Sequence, residues 1–371
     1  MDALILTCGT GGGHNTAAQA LQEELLRRGH SAQVLNPYRL KSDKLADFID
    51  HSYIRMAKSA PKLFGGLYQI GDKFRKFPSR SPVYHLNGGM TETFAAYLQR
   101  HPVDVILMTH FFGAHILTQM KSKGLTAPPQ IMVATDYTCI PLMEEIDCDA
   151  YITPAVDLHE EYLQRGIPAD RLHPLGIPVR SAFTAPMSKA EARAALHLSP
   201  DGRYALVAGG SMGAGDLDKL LTELYRAAQA ENTRLIVICG SNTQLYDRLQ
   251  QQYGEQLILV GRTEQMATYM RACDMLFTKP GGLTSTEAAV VGIPLVHITP
   301  IPGCETRNRA YFETHGMSLA ARMPAEAVDA LRSLNEPALC QQMVEQQHAC
   351  INAGAASDIC DLAEMLAAHQ R

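Results

Sequence analysis

Twice along this chain a short apolar run stops at a cluster of glycines and gives way at once to a helix-forming stretch. The first is Ala3 to Thr7, then Gly9-Thr10-Gly11-Gly12-Gly13-His14, then a helix over Thr16 to Arg28 that Gly29 ends. The second is Tyr204 to Ala208, then Gly209-Gly210-Ser211-Met212-Gly213-Ala214-Gly215, then a helix opening at Asp216. Strand, turn, helix and next strand make a βαβ unit, and a series of them makes an α/β fold with a parallel sheet. Further strands are expected at Ala32–Leu35, Val103–Thr109, Gln130–Thr135 and Asp149–Thr153, and later at Arg234–Cys239, Leu257–Val260, Met275–Phe277 and Leu295–Ile298. With 371 residues, 46% of them hydrophobic and 19% charged, the chain has material for two ordered domains. Proline-bearing sequence from Gly176 to Ser199, with a short helix over Lys189 to Leu196, reads as the connection. The expected division is 1–183, 184–355 and a terminal amphipathic helix within 356–371.

Open parallel sheets bind ligands at the carboxyl ends of their strands. In the first half those ends carry His14, His110 and Asp136, which would line one rim. His14, at a helix start beside a glycine turn, is placed as a general base, and the positive helix end predicts a neutral imidazole. A capping or packing histidine is the other reading. The glycines do not form G-x-G-x-x-G, because His14 takes the sixth position, and no acidic residue ends the second strand; a dinucleotide cofactor is not expected.

The second half offers Gly240 with Asn242, Gly261 with Arg262, and above all the run from Thr278 to Asn308. There a strand feeds Lys279-Pro280-Gly281-Gly282, and a helix starts near Thr284. Glycines admit a ligand to the backbone, the helix start presents unpaired N–H groups, and Thr284, Ser285 and Thr286 add hydroxyls. Glu287 suits a ribose diol, while Glu305 and Asn308 follow a second strand. The combination fits a phosphate flanked by hydroxyl-rich groups, as in a nucleotide-sugar; a plain strand–turn–helix corner is the alternative.

A net charge of −5 argues against a general nucleic-acid binder. Nine cysteines without a C-x-x-C pair fit reduced thiols in a cytoplasm, and neither a signal peptide nor a run of about 20 apolar residues is seen. Tyr53 to Arg80 stands apart. Seven basic residues, among them Lys58, Lys73, Arg75 and Lys76, face one acidic residue and are interleaved with Phe64, Tyr68, Phe74 and other apolar side chains. Such a segment suits an anionic membrane surface; a helical hairpin with a solvated basic face is the alternative. Asp147-Cys148-Asp149 formally matches a metal-binding D-x-D but lies in an acidic loop, and no metal site is expected there.

Taken together, Gly11-Gly12-Gly13-His14, Lys58…Phe64-Gly65…Tyr68, Thr135-Asp136, Gly209 to Gly213, Lys279 to Glu287 and Pro302-Gly303…Glu305…Asn308 resemble glycosyltransferase family 28. The resemblance is to its diacylglycerol glycosyltransferases and the monogalactosyldiacylglycerol synthases. It implies a B-type glycosyltransferase fold, two Rossmann-like parallel-sheet domains facing a cleft, with the terminal helix crossing back to the first. It implies an inverting hexosyltransferase that takes a UDP-sugar and a lipid hydroxyl, with no cofactor and no essential metal, at the cytoplasmic membrane face. By the same resemblance His14 would be the base, with Asp136 beside it. Ser211, Met212, Leu283 and Thr284 would hold the diphosphate, Gly261-Arg262 the uracil, Glu287 the ribose, and Glu305 and Asn308 the sugar. Gly210, Gly240, Asn242, Lys279, Gly281, Gly282 and Thr286 complete the donor side. Gly12, Gly13, Lys58, Phe64, Tyr68, Lys73, Phe74, Arg75, Lys76 and His110 form the acceptor and membrane side. A polyprenyl-diphosphate-linked acceptor, a UDP-sugar epimerase of the same fold and a non-catalytic UDP-sugar binder are the rivals.

Overall fold

The computed structural model describes residues 1–9, 12–59, 80–209, 217–300 and 302–369, with the backbone alone at 53–59 and 217–218. The chain forms two compact units. The first comprises Met1–Ser181, Pro302–Cys304 and Asn352–Arg371; the second comprises Ala182–Ile301 and Glu305–Ile351.

In the first unit six parallel strands lie in the order β2-β1-β3-β4-β5-β6. They are β1 (Asp2–Leu6), β2 (Ser31–Leu35), β3 (Val105–Met108), β4 (Gln130–Val133), β5 (Ala150–Ile152) and β6 (Leu172–His173). Strands β3, β4 and β5 are buried at every residue, which is why they read as unbroken apolar runs without alternation. Helix α1 (Gly12–Arg27) follows β1 and turns Ala17, Ala18, Ala20, Leu21 and Leu25 inward, the face its spacing predicts. It begins four residues ahead of the expected Thr16, so His14 belongs to its first turn. The chain leaves β1 for β2 on one side and builds β3 onward on the other. A crevice therefore opens at the carboxyl ends of β1 and β3. Three more helices matter there: α2 (Asp43–Ser59), α3 (Pro82–Gly88) and α4 (Phe111–Ser122).

The helix Ala355–Ala368 belongs to this unit. Its Ile359, Cys360, Leu362, Ala363 and Ala367 join Ile5, Leu21, Leu25, Leu107 and Ile131 in one core cluster. Arg28 secures it with bonds to Asp361 Oδ1 (2.5 Å), Glu364 Oε1 (2.9 Å) and the Ser357 carbonyl (2.8 Å).

The second unit repeats the plan in the order β12-β11-β10-β7-β8-β9, again all parallel. Its strands are β7 (Arg203–Ala208), β8 (Thr233–Ile238), β9 (Ile258–Val260), β10 (Met275–Thr278), β11 (Leu295–His297) and β12 (Leu319–Ala320). Here the direction of building reverses between β7 and β10, the two strands that lead into the glycine-rich turns. Helix α5 (Gly282–Val291) follows β10, and α6 (Cys304–Thr314) follows β11. Gly292 ends α5 at φ +76°, and a Cβ there would meet His348 Nε2 at 2.8 Å; the position needs glycine for backbone and space alike.

Candidate active site

The first unit holds a cavity of about 850 Å³ at its strand ends. Its walls are mostly apolar: Leu45, Phe48 and Ile49 from α2, Val83 and Leu86 from α3, Phe111 and Phe112 from α4, and the loop Ile140-Pro141-Leu142-Met143. Leu142 has φ +69°, a left-handed conformation uncommon for a side chain of this size. Phe48 and Leu86 are 69% and 77% exposed, so the lining continues as apolar surface. Among the polar lining groups are His14, Thr109, His110, Thr135 and Asp136.

His14 Nδ1 lies 2.8 Å from the Thr109 carbonyl and 3.0 Å from Thr135 Oγ1. A carbonyl accepts only, so Nδ1 carries the hydrogen and the lone pair falls to Nε2. Burial pushes the imidazole below the ordinary histidine value, while Asp136 and the Thr109 carbonyl pull the other way. The neutrality expected of a base is thus present, but its first cause is burial and not the helix end. Once the ring takes up a proton, Asp136 favours the cation that results. His110 packs edge-on against His14 with centroids 4.7 Å apart, and burial holds it far below the usual histidine range. Its Nδ1 accepts the Phe112 N–H at 3.3 Å and caps α4, so this expected acceptor residue is a 2% exposed wall that also serves the helix.

In the second unit the turn after β10 is braced from several sides. Thr278 Oγ1 donates to the Ala208 carbonyl at 2.7 Å, joining the ends of β10 and β7. Asn308, wholly buried on α6, gives its amide to the Pro280 carbonyl at 3.0 Å. Lys279 pairs with Glu305 at 2.5 Å. Gly281 occupies the N-cap of α5 without a side-chain cap, which leaves first-turn N–H groups for an anion. Three expectations change here. Ser285 turns inward to His297 Nε2 (2.9 Å), and buried Thr286 bonds back to the Gly282 carbonyl (2.7 Å), because their helical positions face the core. Neither hydroxyl is presented to a ligand; Thr284, half-buried, is the one left in that turn. Asn308 likewise holds the turn in place, where sequence reasoning had it reaching a sugar.

Leu283 and Glu287 are 6% and 7% exposed at the start of α5. Asn242 spends its side chain capping the helix Thr243–Tyr253, accepting the Leu245 N–H at 3.0 Å, and Gly240 precedes it at φ +58°. Gly261 has open space where a Cβ would stand, and the Arg262 side chain is exposed. Gly12 and Gly13 open α1. Gly210, Ser211, Met212, Phe64, Tyr68, Lys73, Phe74, Arg75 and Lys76 lie outside the described residues, as does the side chain of Lys58.

The D-x-D is spent on structure. Asp147 pairs with Lys121 (2.6 Å) and Arg171 (2.7 Å), which hold its carboxyl below the usual range against the opposing effect of its burial, and Asp149 accepts the Gln130 N–H at 2.8 Å. Sequence reasoning missed the cavity wall on α2. Its signal was present: Leu45, Phe48, Ile49 and Ser52 recur at helical spacing on one face.

Two doubly wound parallel sheets, one with a cavity that holds His14 and one with an anion-receptive helix start, make the B-type glycosyltransferase fold. Solved structures with this fold include Acinetobacter baumannii MurG (16% identity, TM-score 0.61, 98% of this chain and 99% of that one). The calicheamicin glycosyltransferase CalG4 is a second (12% identity, TM-score 0.64, 100% and 99%). The family models for monogalactosyldiacylglycerol (MGDG) synthase and for the glycosyltransferase family 28 C-terminal domain match residues 14–179 and 204–349. Through these two matches the chain is similar to the diacylglycerol glycosyltransferases of glycosyltransferase family 28. A relative of similar length is the processive diacylglycerol beta-glucosyltransferase of Bacillus licheniformis, 27% identical over 338 residues, 89% of this chain and 86% of that one.

Proposed function

We propose that this protein transfers a hexose, with inversion and without an essential metal, from a UDP-sugar to the free hydroxyl of diacylglycerol at a membrane surface. The carrying observation is the 850 Å³ apolar cavity that ends at a neutral histidine. Apolar walls suit acyl chains, and Nε2 of His14 suits the one polar group such a lipid presents. The acceptor oxygen attacks the anomeric carbon, its proton passes to Nε2, and the bond from that carbon to the diphosphate oxygen breaks. UDP leaves as an anion, for which the first turn of α5 offers N–H groups and a positive dipole end, an electrostatic contribution usually larger than that of the base. Asp147 and Asp149 are engaged by other partners, so no role in the reaction is proposed for them. The relatives' names favour glucose and β-linkage. No helix among the described residues is long and apolar enough to cross a membrane, and exposed Phe48 and Leu86 at the cavity favour contact with a bilayer from one side.

The test is turnover of UDP-glucose, UDP-galactose and UDP-N-acetylglucosamine, each with and without diacylglycerol in anionic vesicles. Diacylglycerol-dependent UDP release with a glycolipid product is expected, fastest with UDP-glucose. Conversion of a UDP-sugar without lipid would overturn the reading in favour of an epimerase. His14→Ala should keep donor affinity and lose at least about a hundredfold in rate.

A further inference from the structure

Asp50 on α2 takes no part in the reaction above, yet both its hydrogen bonds run to the surroundings of the base and the cavity. Its Oδ1 accepts the Gly9 N–H at 2.9 Å, three residues before α1 begins. Its Oδ2 accepts Asn36 Nδ2 at 3.2 Å. The fit is close: a Cβ at position 9 would fall 2.8 Å from Asp50 Cγ. Asn36 in turn accepts the Tyr38 N–H at 3.1 Å, and the Tyr38 hydroxyl donates to Asn87. Tyr38 and Asn87 line the cavity, as do Leu45, Phe48 and Ile49 of α2 itself. A half-buried carboxylate, whose acidity burial weakens, is a costly group to keep at a site that any small polar residue could fill. Its two oxygens do what one neutral acceptor cannot: they hold two separate elements at once by charge-assisted bonds.

We propose that Asp50 is a positioning residue that ties Gly9, three residues ahead of the helix that carries His14, to the cavity wall, setting the base in register with a bound acceptor. This rests on the reading of His14 as base in an acceptor cavity. A second tie, Thr7 Oγ1 to Asn15 Oδ1 at 3.0 Å, holds the end of β1 to α1 next to His14 but does not reach α2. Freed from Asp50, Gly9 and the start of α1 can shift relative to α2, and a displacement of about 1 Å can cost roughly a hundredfold in rate.

The experiment is steady-state transfer from UDP-glucose to diacylglycerol vesicles for Asp50→Ala, made in the wild-type and in the His14→Ala background, with melting temperatures alongside. In the wild-type background kcat should fall at least about tenfold, with both KM values within about twofold. In the His14→Ala background the same change should cost less than about twofold, because a residue that acts through the base has nothing left to act on. The exchange Asn36→Asp with Asp50→Asn rebuilds the pattern. The amide oxygen at 50 accepts Gly9 N–H, and the carboxylate at 36 accepts both the new amide and the Tyr38 N–H. It should restore kcat to within about threefold of wild type. Equal cost in both backgrounds, or an exchanged protein that melts like wild type but stays slow, overturns the proposal while leaving the acceptor reading intact. A wild type that transfers nothing to diacylglycerol overturns both.

Discussion

At His14 burial and charge act in opposite directions, and the sum sets a measurable pH limb. The protonated ring has no lone pair to offer. Its folded-state pKa lies below the ordinary 6.5, so the neutral form predominates above that pH and is lost as pH falls through the lowered value. As far as this base is concerned, kcat/KM for transfer should therefore fall on the acid side, with a midpoint below 6.5. Asp136→Asn removes a charge that favours the cation and should move the midpoint lower still. A midpoint at or above 7 would mean that the carboxylate outweighs burial, or that another group is the base. Burial likewise lowers the neighbouring histidines, holding His110 far below the usual range and His115 at about 4.

Helix α5 shows how much of an element is set by its ends. Gly292→Ala puts a side chain at φ +76° and drives its Cβ to within 2.8 Å of His348 Nε2 and 3.1 Å of Val344 Cγ1. Gly29, at φ +81° after α1, has nothing within 4 Å. Alanine at 29 should cost only the left-handed backbone term of about 1–2 kcal/mol, and alanine at 292 distinctly more. Urea denaturation of the two variants checks the order, and equal losses would show that His348 moves aside freely. The end of α1 at Gly29 was legible in the sequence because glycine after an apolar periodic stretch is a local signal. The two-residue strands β6 and β12 were not, since so short a stretch has no period to read. At the site, the residue types at the strand ends were legible and their orientations were not. Ser285, Thr286 and Asn308 are small polar residues in a ligand-like setting, and only packing shows that they face inward. The cavity escaped notice because α2, α3 and the 140–143 loop, distant in sequence, build it together.

For the whole molecule, the helix Ala355–Ala368 is a structural part of the unit that begins the chain. Ile359, Cys360 and Ala363 are fully buried there. Burying Ile359 alone is worth about 1.5–3 kcal/mol, a sizeable part of the roughly 5–15 kcal/mol a domain has in total. A protein ending at Ile351 should keep its second unit and lose the first. Limited proteolysis should then cut within residues 1–181 while fragments spanning 182–351 survive, and protection of both halves would refute the assignment. The same arrangement bears on how the protein is made. Translation delivers β1 first, but the core around β1 cannot close until residues 359–367 have cleared the ribosome. The second unit's sequence is complete once Ile351 emerges. On the ribosome the core around β1 is thus completed only after the sequence of the second unit is, and until then that sheet lacks the apolar cover this helix supplies.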